Sequence, residues 1–345
     1  MTTHSGFDFL RVGEEVASIP ARPIAALWPP DIYDRPYTAI YGDGNGREQR
    51  VQLLDLNIDI DTVEQNSVRL MINGGDVAWT FLFSLSGPRA FMPLPGEHRS
   101  LSMCRGDSGR VTSLIDYLNE HHAILFLADG SIIDGNEWFR HDPDRNALFD
   151  GNRIEDLAWT GGNVNIENEF DERDDGTISI HAYLGAQLNV DENEVVVYDH
   201  RPGEVADYVV VTELDGQIRI TLYHCKGSSD PRPGHRVEDL YEVCGQVIKS
   251  TKWVHDTDAL GRQLADRTRP GGSRFIRGDM ARLRDLIGRG RRMGAIYEMV
   301  IVQPGVLRGR LGTEPFRRVA HLLASVEDYT TGASCAPLRI IGSAR

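Results

Sequence analysis

The sequence predicts an α+β protein with a β-rich N-terminal domain over residues 1–150 and an α/β domain over residues 151–345. Three observations predict this division. Short β-branched or aromatic runs closed by Gly, Asp and Asn dominate up to about residue 135. A polar and acidic stretch follows at 140–177, and it reads as a connector. Beyond it, strand-like runs alternate with amphipathic helical patterns.

The strands of the N-terminal domain are predicted from four runs. They read QRVQLLDLNIDID, SVRLMINGG, VAWTFLFSLSG and HAILFLADGSIIDG, and one helix is predicted at GRVTSLIDYLNEHH. The turns between them resemble no catalytic motif. The chemistry is therefore expected in the second domain.

The second domain has a clear predicted order of elements. A helix at 177–188 leads to strands at 194–200 and 205–214, and Asp215-Gly216 forms a tight hairpin into a third strand at 217–228. Helices follow at 237–254 and 280–292, then a strand from 295 that Pro304 stops, a helix at 314–330 and a last strand at 337–342. The order is α-β-β-β-α followed by α-β-α-β.

This order is the skeleton of the PD-(D/E)XK nuclease core, the restriction-endonuclease-like fold. Such a core needs an acid at the head of the second strand, here Asp207. It also needs a second ligand and a lysine two residues apart on the third strand, here His224 and Lys226. A spacing of two places both side chains on one face of the strand. The acid would hold Mg²⁺ or Mn²⁺, and the lysine would stabilise charge on the reacting phosphate.

The lysines support the same position. The chain has 34 Arg but only three Lys, at 226, 249 and 252. Arginine is a planar fork that is always charged, whereas lysine is a compact charge with a tunable pKa. A chain that uses Arg elsewhere would keep Lys where the fork does not fit beside a metal-bound water. The plainer alternatives are that Asp207 is a turn residue, that Lys226 faces solvent and that His224 is a packed strand histidine.

Further residues complete the predicted site. Glu204 is an additional metal ligand beside Asp207 and His224, and Gln246 matches an auxiliary helix glutamine of some nucleases in this superfamily. Glu167, Glu169 and Glu172 could include an upstream ligand, but a solvated acidic loop is favoured. A zinc site with Cys225, Cys244 and His235 is disfavoured because no CxxC or HxxxH spacing is present.

The charge of the chain is divided unevenly between its two halves. Residues 1–200 have a net charge of −20, residues 201–345 have +6, and 262–318 alone have +9, within a total of −14. This split favours nucleic acid as a partner of the C-terminal half. A basic helix facing the acidic half would give the same pattern. The predicted phosphate contacts are Lys249, Arg274, Arg277, Arg284, Arg291 and Arg292.

The C-terminal half resembles a region of large bacterial DEAD/DEAH-box helicase-like proteins of anti-phage defence loci. The segments that carry the resemblance are WTGGNVNIENE, VVYDHRPGEVADYVVV, LYHCKGSSDPRPGHRVEDLYEVCGQVIKSTKW, RFIRGD and MVIVQPGV, over roughly 155 to 345. The resemblance implies a restriction-endonuclease-like nuclease in defence, with Asp207, His224, Lys226, Gln246 and Glu204 as site residues. The chain has no GxxxxGK[ST] segment, so it is not itself the motor.

Three functions are consistent with these patterns. The first is a metal-dependent nuclease that acts on DNA in preference to RNA. The second is a nucleic-acid-binding or assembly module that does not cleave, because His224 replaces the second acid. The third is a domain that docks a helicase or ATPase subunit through the acidic half. A homodimer is left open.

The location of the protein is predicted from its apolar runs and cysteines. No apolar run reaches the ~18 residues of a membrane span, and no secretion signal is evident. The four cysteines, including Cys104 and Cys335, form no paired spacing, which favours reduced thiols. We therefore expect a cytoplasmic protein with no membrane partner.

Overall fold

The structure is a computed structural model with two compact units that divide between residues 145 and 146. It describes residues 14–34, 36–42, 47–74, 77–86, 89–94, 101–106, 110–140, 148–159, 161–170, 176–188, 194–200, 203–268 and 272–344. Both units combine helices with β-sheet, so the predicted α+β class is confirmed.

The N-terminal unit is built mainly from strands. Its elements are β1 (Glu14–Glu15), β2 (Pro23–Leu27), α1 (Asp31–Asp34), β3 (Tyr37–Gly42), β4 (Glu48–Gln52), β5 (Asn57–Val63), β6 (Ser67–Gly74), β7 (Val77–Ser84), β8 (Phe91–Pro93), β9 (Ser102–Arg105), β10 (Thr112–Ser113), α2 (Leu114–Glu120), β11 (Ile124–Leu127), β12 (Ile132–Asp134) and β13 (Glu137–Phe139).

In the described part of this unit, three antiparallel sheets enclose one core. Their strand orders are β1-β13-β12-β11-β2, β10-β9-β3-β4 and β5-β6-β7-β8. The run QRVQLLDLNIDID forms two strands instead of one, because a 3₁₀ turn at Leu53–Asp55 sends β4 and β5 into different sheets. Leu53 and Leu56 are fully buried at this turn, so the change of sheet serves the core.

The C-terminal unit alternates helices with strands. Its elements are β14 (Glu155–Asp156), α3 (Ile180–Leu188), β15 (Val195–Tyr198), β16 (Tyr208–Leu214), β17 (Gln217–Cys225), α4 (Glu238–Ser250), α5 (Lys252–His255), α6 (Thr257–Arg267), β18 (Arg274–Arg277), α7 (Met280–Met293), β19 (Ala295–Leu307), α8 (Arg317–Ser334) and β20 (Leu338–Ser343).

One mixed sheet of seven strands organises this unit. The strand order is β14-β20-β19-β17-β16-β15-β18. The pairs β14–β20, β20–β19 and β19–β17 are parallel, while β17–β16, β16–β15 and β15–β18 are antiparallel. Helix α7 packs on one face of the sheet at Ile218 and α3 packs on the other at Tyr208, so both faces are covered, which explains the Val- and Ile-rich strand sequences.

Strand alternation divides the side chains between the two faces of the sheet. On one face, Tyr208, Tyr223 and Cys225 pack in a cluster with Leu184 of α3. On the opposite face, Ile218 packs against Gly290 of α7. The period of two therefore works as predicted along β16 and β17.

The β16–β17 hairpin positions the candidate site. Asp215 and Gly216 both have positive φ, at 52° and 78°, as the predicted Asp-Gly turn requires. The register pairs Tyr208 with Tyr223, so the start of β16 and the end of β17 meet at the open end of the hairpin. The residues just before β16 and just after β17 are thereby brought together.

The predicted order of the second unit is confirmed, with additions and one correction. Sequence patterns did not predict β14, α6 or β18, and the 140–177 stretch is more than a connector. Trp159 in that stretch is buried and donates to the carbonyl of Gly342 at 2.6 Å. Pro304 does not stop β19, because pairing with β20 is interrupted between Val302 and Leu307 and needs no N–H at residue 304.

None of the helices within the described ranges is long and apolar enough to cross a lipid bilayer.

Candidate functional site

The carboxylate of Asp207 joins the two strands at the open end of the hairpin. Asp207 precedes β16 and is 1% exposed. Its Oδ2 accepts a hydrogen bond from the backbone N–H of Cys225 at 2.7 Å. Asp207 therefore lies at the head of the second strand of the hairpin unit, as predicted, and its carboxyl group is buried. Burial raises the pKa of this carboxyl group.

Two histidines approach the same carboxylate from different elements. Nδ1 of His200, in the loop after β15, donates to Oδ1 of Asp207 at 2.7 Å and lies 3.5 Å from Glu204. Nε2 of His181, on α3, lies 3.6 Å from Oδ1 of Asp207. Besides Asp207 itself, the loop between β15 and β16 therefore supplies the imidazole of His200 and the carboxylate of Glu204. Helix α3 supplies the imidazole of His181.

The two imidazoles have opposite electrostatic character. Burial lowers the pKa of His200, but its hydrogen bonds to Asp207 and Glu204 outweigh that effect and raise it to about 10. Burial, together with the charges of His200 and Lys226, lowers the pKa of His181 to about 3. His200 thus places a positive charge between two carboxylates, while His181 presents a neutral ring with a free lone pair.

These residues could hold a divalent cation. Ligand atoms lie within 4.8 Å of one another in each of three groups: His200 with Glu204 and Asp207, His181 with Asp207 and Cys225, and Glu169 with His181 and His200. Imidazole together with carboxylate suits Mn²⁺ better than Mg²⁺, which prefers oxygen alone. The donor set therefore fits a metal ion and favours manganese over magnesium.

Buried atoms without hydrogen bonds support this fit. In the described part of the C-terminal unit these atoms are Nε2 of His181, both ring nitrogens of His224 and Oε1 of Gln246. Folded proteins pair almost all buried polar atoms, since an unpaired one costs about 1–3 kcal/mol. Among these atoms, Nε2 of His181 belongs to a ligand group, so its missing hydrogen bond supports the fit, whereas His224 belongs to none of the groups.

Lys226 follows β17 and lies between two acids. Its Nζ is 3.1 Å from Glu169 and 2.9 Å from Glu242 on α4. Glu169 also accepts from the backbone N–H of Gly227 at 3.0 Å. Burial lowers the pKa of Lys226, but the hydrogen bonds and charges of both acids raise it overall, so the ammonium stays charged. Glu169 is therefore part of the site and not of a solvated loop, while Glu172 lies outside the described residues.

Glu242, Gln246 and Lys249 share one face of α4 because they are spaced four and three residues apart. This face borders the site. Nε2 of Gln246 lies 3.4 Å from Oε1 of Glu204, which brings these two predicted residues together. The charge of Lys249 contributes to the environment of His224.

The structure does not place His224 among the candidate metal ligands around Asp207. His224 is 1% exposed and belongs to none of the three ligand groups. Burial, and then the charge of Lys249, lowers its pKa to about 3, so the ring is neutral. The expected spacing of two does hold, since His224 and Lys226 both lie toward α4. Of the cysteines and histidine considered for zinc, Cys225 belongs to one group, with His181 and Asp207, whereas Cys244 and His235 belong to none.

The five arginines among the predicted phosphate contacts lie in two separate places. Arg274 and Arg277 lie on β18, and the guanidinium of Arg274 is 5.2 Å from the ring centre of Tyr198. The hydroxyl of Tyr198 lies 3.1 Å from Nδ1 of His181, so Arg274 is beside the site.

The remaining three arginines lie on α7, at the turn end of the hairpin. They are exposed and comprise Arg284, Arg291 and Arg292. Arg291 is paired with Asp258 at 3.1 Å, and Arg289 of the same helix binds Glu213. Glu213 is six positions along the chain from Asp207, which corresponds to about 20 Å at the rise of a β-strand. These arginines therefore do not line the candidate site.

Sequence reasoning missed His181, His200 and the paired role of Glu169. The segment DHRPGE contains His200, and its density of charged residues before a strand was the available signal. His181 sits on an apolar helix, where a buried core histidine is the usual interpretation. The remaining acid of that segment, Asp199, is buried and structural, since it accepts from Nε of Arg267 at 2.5 Å and from Ser273.

Comparison with known proteins gives no match for this chain among protein-family models, curated proteins or solved structures.

Proposed function

We propose that this chain is a metal-dependent nuclease with a restriction-endonuclease-like core, which hydrolyses phosphodiester bonds in DNA in preference to RNA. The setting would be the bacterial defence that the resemblance implies. The observation that carries the proposal is the cluster of ligand atoms and unpaired buried polar atoms at the open end of the β16–β17 hairpin, with Lys226 beside it.

Each residue at the hairpin end has a role in this proposal. Asp207 and Glu204 would hold the ion with His181 as a further ligand, and His200 would join them once the ion takes the place of the proton on its Nδ1. A bound divalent cation would polarise the phosphate and lower the pKa of an attacking water. Gln246 would orient Glu204 through its side-chain amide, as outer-shell partners of metal ligands do.

Lys226 would donate from its ammonium to a phosphate oxygen on which charge develops. Such a preorganised donor contributes only where it is held in place. Glu169 and Glu242 hold the ammonium from two sides. Glu169 is in turn fixed by the N–H of Gly227.

The arginines would contact the nucleic-acid backbone at two distances from the reacting phosphate. Arg274 would bind a phosphate next to the site. The exposed α7 arginines lie about 20 Å away, or roughly six base pairs at the 3.4 Å rise of each strand. Contacts at both places would anchor the substrate without lending sequence specificity.

A cleavage assay tests the proposal. Plasmid, linear and single-stranded DNA and RNA are incubated with the full chain and Mn²⁺, Mg²⁺ or EDTA. Asp207→Asn and Lys226→Ala are compared with Asp215→Asn and Arg219→Ala, which alter the turn end of the same hairpin. Metal-dependent product that only the first pair loses supports the assignment. The proposal is wrong if the wild-type chain yields no product from any substrate.

A second candidate is a nucleic-acid-binding or assembly module that partners a helicase subunit and does not cleave. It is favoured by the position of His224, where the parent pattern has an acid. The two ion pairs of Lys226 also favour it, because they occupy the ammonium. This candidate predicts salt-sensitive DNA binding without product in the same assay.

A further inference from the structure

An exposed aromatic ring borders the candidate site. Phe170 is 49% exposed, although most large apolar side chains of the described residues are buried. Its ring centre lies 4.4 Å from that of His200 and 6.1 Å from that of His181. Phe170 therefore combines an accessible apolar surface with direct contact to two candidate metal ligands.

The backbone beside Phe170 is held on two sides. The carbonyls of Asn168 and Glu169 accept from the N–H groups of Ile180 and His181, each at 3.0 Å, at the start of α3. The carboxylate of Glu169 accepts from Gly227 after β17. The ring thus projects from a segment that is hydrogen-bonded both to α3 and to the residue Gly227 after β17.

Other flat groups continue from Phe170 across the site. The ring of Tyr198 lies 6.2 Å from that of His200, at an interplanar angle of 27°. The exposed guanidinium of Arg274 follows, over the face of Tyr198. The series ends in the exposed cation of Arg274, which can bind a phosphate.

We propose that Phe170 is a platform on which an unpaired base stacks, so that the strand at this site is single-stranded. This inference rests on the proposed nuclease function. Every base has a face that can stack on an aromatic ring, whereas the bases of an intact duplex are already stacked on one another. Arg274 would bind a phosphate of the same strand.

A binding measurement without metal separates stacking from cleavage. Single-stranded DNA, single-stranded RNA and duplex DNA, each carrying 2-aminopurine, are titrated with the full chain in EDTA. Phe170→Ala and Phe170→Leu are compared with Phe170→Trp and with Leu214→Ala, which removes a side chain that is 50% exposed at the hairpin turn. The leucine variant keeps apolar cover over His200 but removes the aromatic face.

We expect alanine and leucine to weaken single-strand binding by roughly 5- to 150-fold, the value of one stacked base, and to abolish the fluorescence quench. Tryptophan and the Leu214 control should bind as the wild type does, and duplex affinity should change little. The DNA and RNA arms show which single strand is preferred.

The inference is overturned if the leucine variant binds and quenches like the wild type, because Phe170 then only shields His200. Equal loss on duplex and single strand also overturns it. Quenching by a wild-type chain that cleaves nothing would reject the nuclease proposal and leave the platform standing. If Phe170→Ala leaves both cleavage and binding unchanged on every substrate, the platform is wrong and the nuclease proposal stands.

Discussion

Asp207→Asn is expected to weaken the binding of the proton on His200 while preserving the hairpin end. The carboxylate of Asp207 accepts from the N–H of Cys225 and from Nδ1 of His200, both at 2.7 Å. Asparagine can keep both contacts, since its carbonyl accepts from Cys225 and its amide donates to a neutral imidazole nitrogen. The variant therefore changes the charge of the site more than its shape.

The expected size of the effect follows from the two carboxylates around His200. Its pKa is raised from 6.5 to about 10, against the lowering effect of burial, by Asp207 at 2.7 Å and Glu204 at 3.5 Å. The nearer acid makes the shorter hydrogen bond and should carry the larger share. Loss of its charge should lower the pKa of His200 by about two units or more, which is ~3 kcal/mol of proton-binding free energy.

Nuclear magnetic resonance titration of the imidazole signals measures this directly. His200→Gln assigns the signal, Glu204→Gln should give a smaller drop, and Asp215→Asn should give none. If His200 in the Asp207→Asn protein still titrates near its wild-type value, the carboxylate of Asp207 is not the main partner of the ring, and the proposed geometry is wrong.

Three further predictions concern the lysine and the buried histidines. Lys226→Ala should lower kcat for cleavage by roughly 10²- to 10³-fold. Lys226→Arg should not restore the rate, because the planar guanidinium lacks the compact charge of an ammonium. Restoration by arginine would contradict this role. His224→Leu should raise the free energy of unfolding by about 1–3 kcal/mol in urea, because it removes an unpaired buried group, whereas loss of Mn²⁺ affinity would instead identify His224 as a ligand. Acid should destabilise the protein, since His181 and His224 have pKa values of about 3 in the folded state against 6.5 ordinarily, so the unfolded state binds more protons between these values. Stability is then complete above pH 6.5 and falls by up to ~1.4 kcal/mol per pH unit for each histidine as pH decreases, and thermal melting of the wild type should show a steeper dependence than His224→Leu.

The sequence by itself determined the local structure of the C-terminal unit. Hydrophobic periodicity identified α3, α4, α8 and the strands other than β14 and β18, and Asp215-Gly216 identified the hairpin, because these signals act between residues close in the chain. The hairpin in turn requires Asp207 and Lys226 to lie at the same end. The spacing of two also directed His224, on β17, and Lys226, just after it, toward the same side.

Only the tertiary structure decided which groups meet at that end. His181 comes from α3 and His200 from the loop after β15, and no local pattern relates either to Asp207. Packing of α3 on the sheet brings His181 within reach, and the same packing leaves His224 on the other side with Lys249. Similarly, the arginines of α7 look like part of the site in sequence but lie at the opposite end of the hairpin. Turn chemistry and periodicity act over a few residues, whereas the composition of a site depends on how distant elements pack over one sheet.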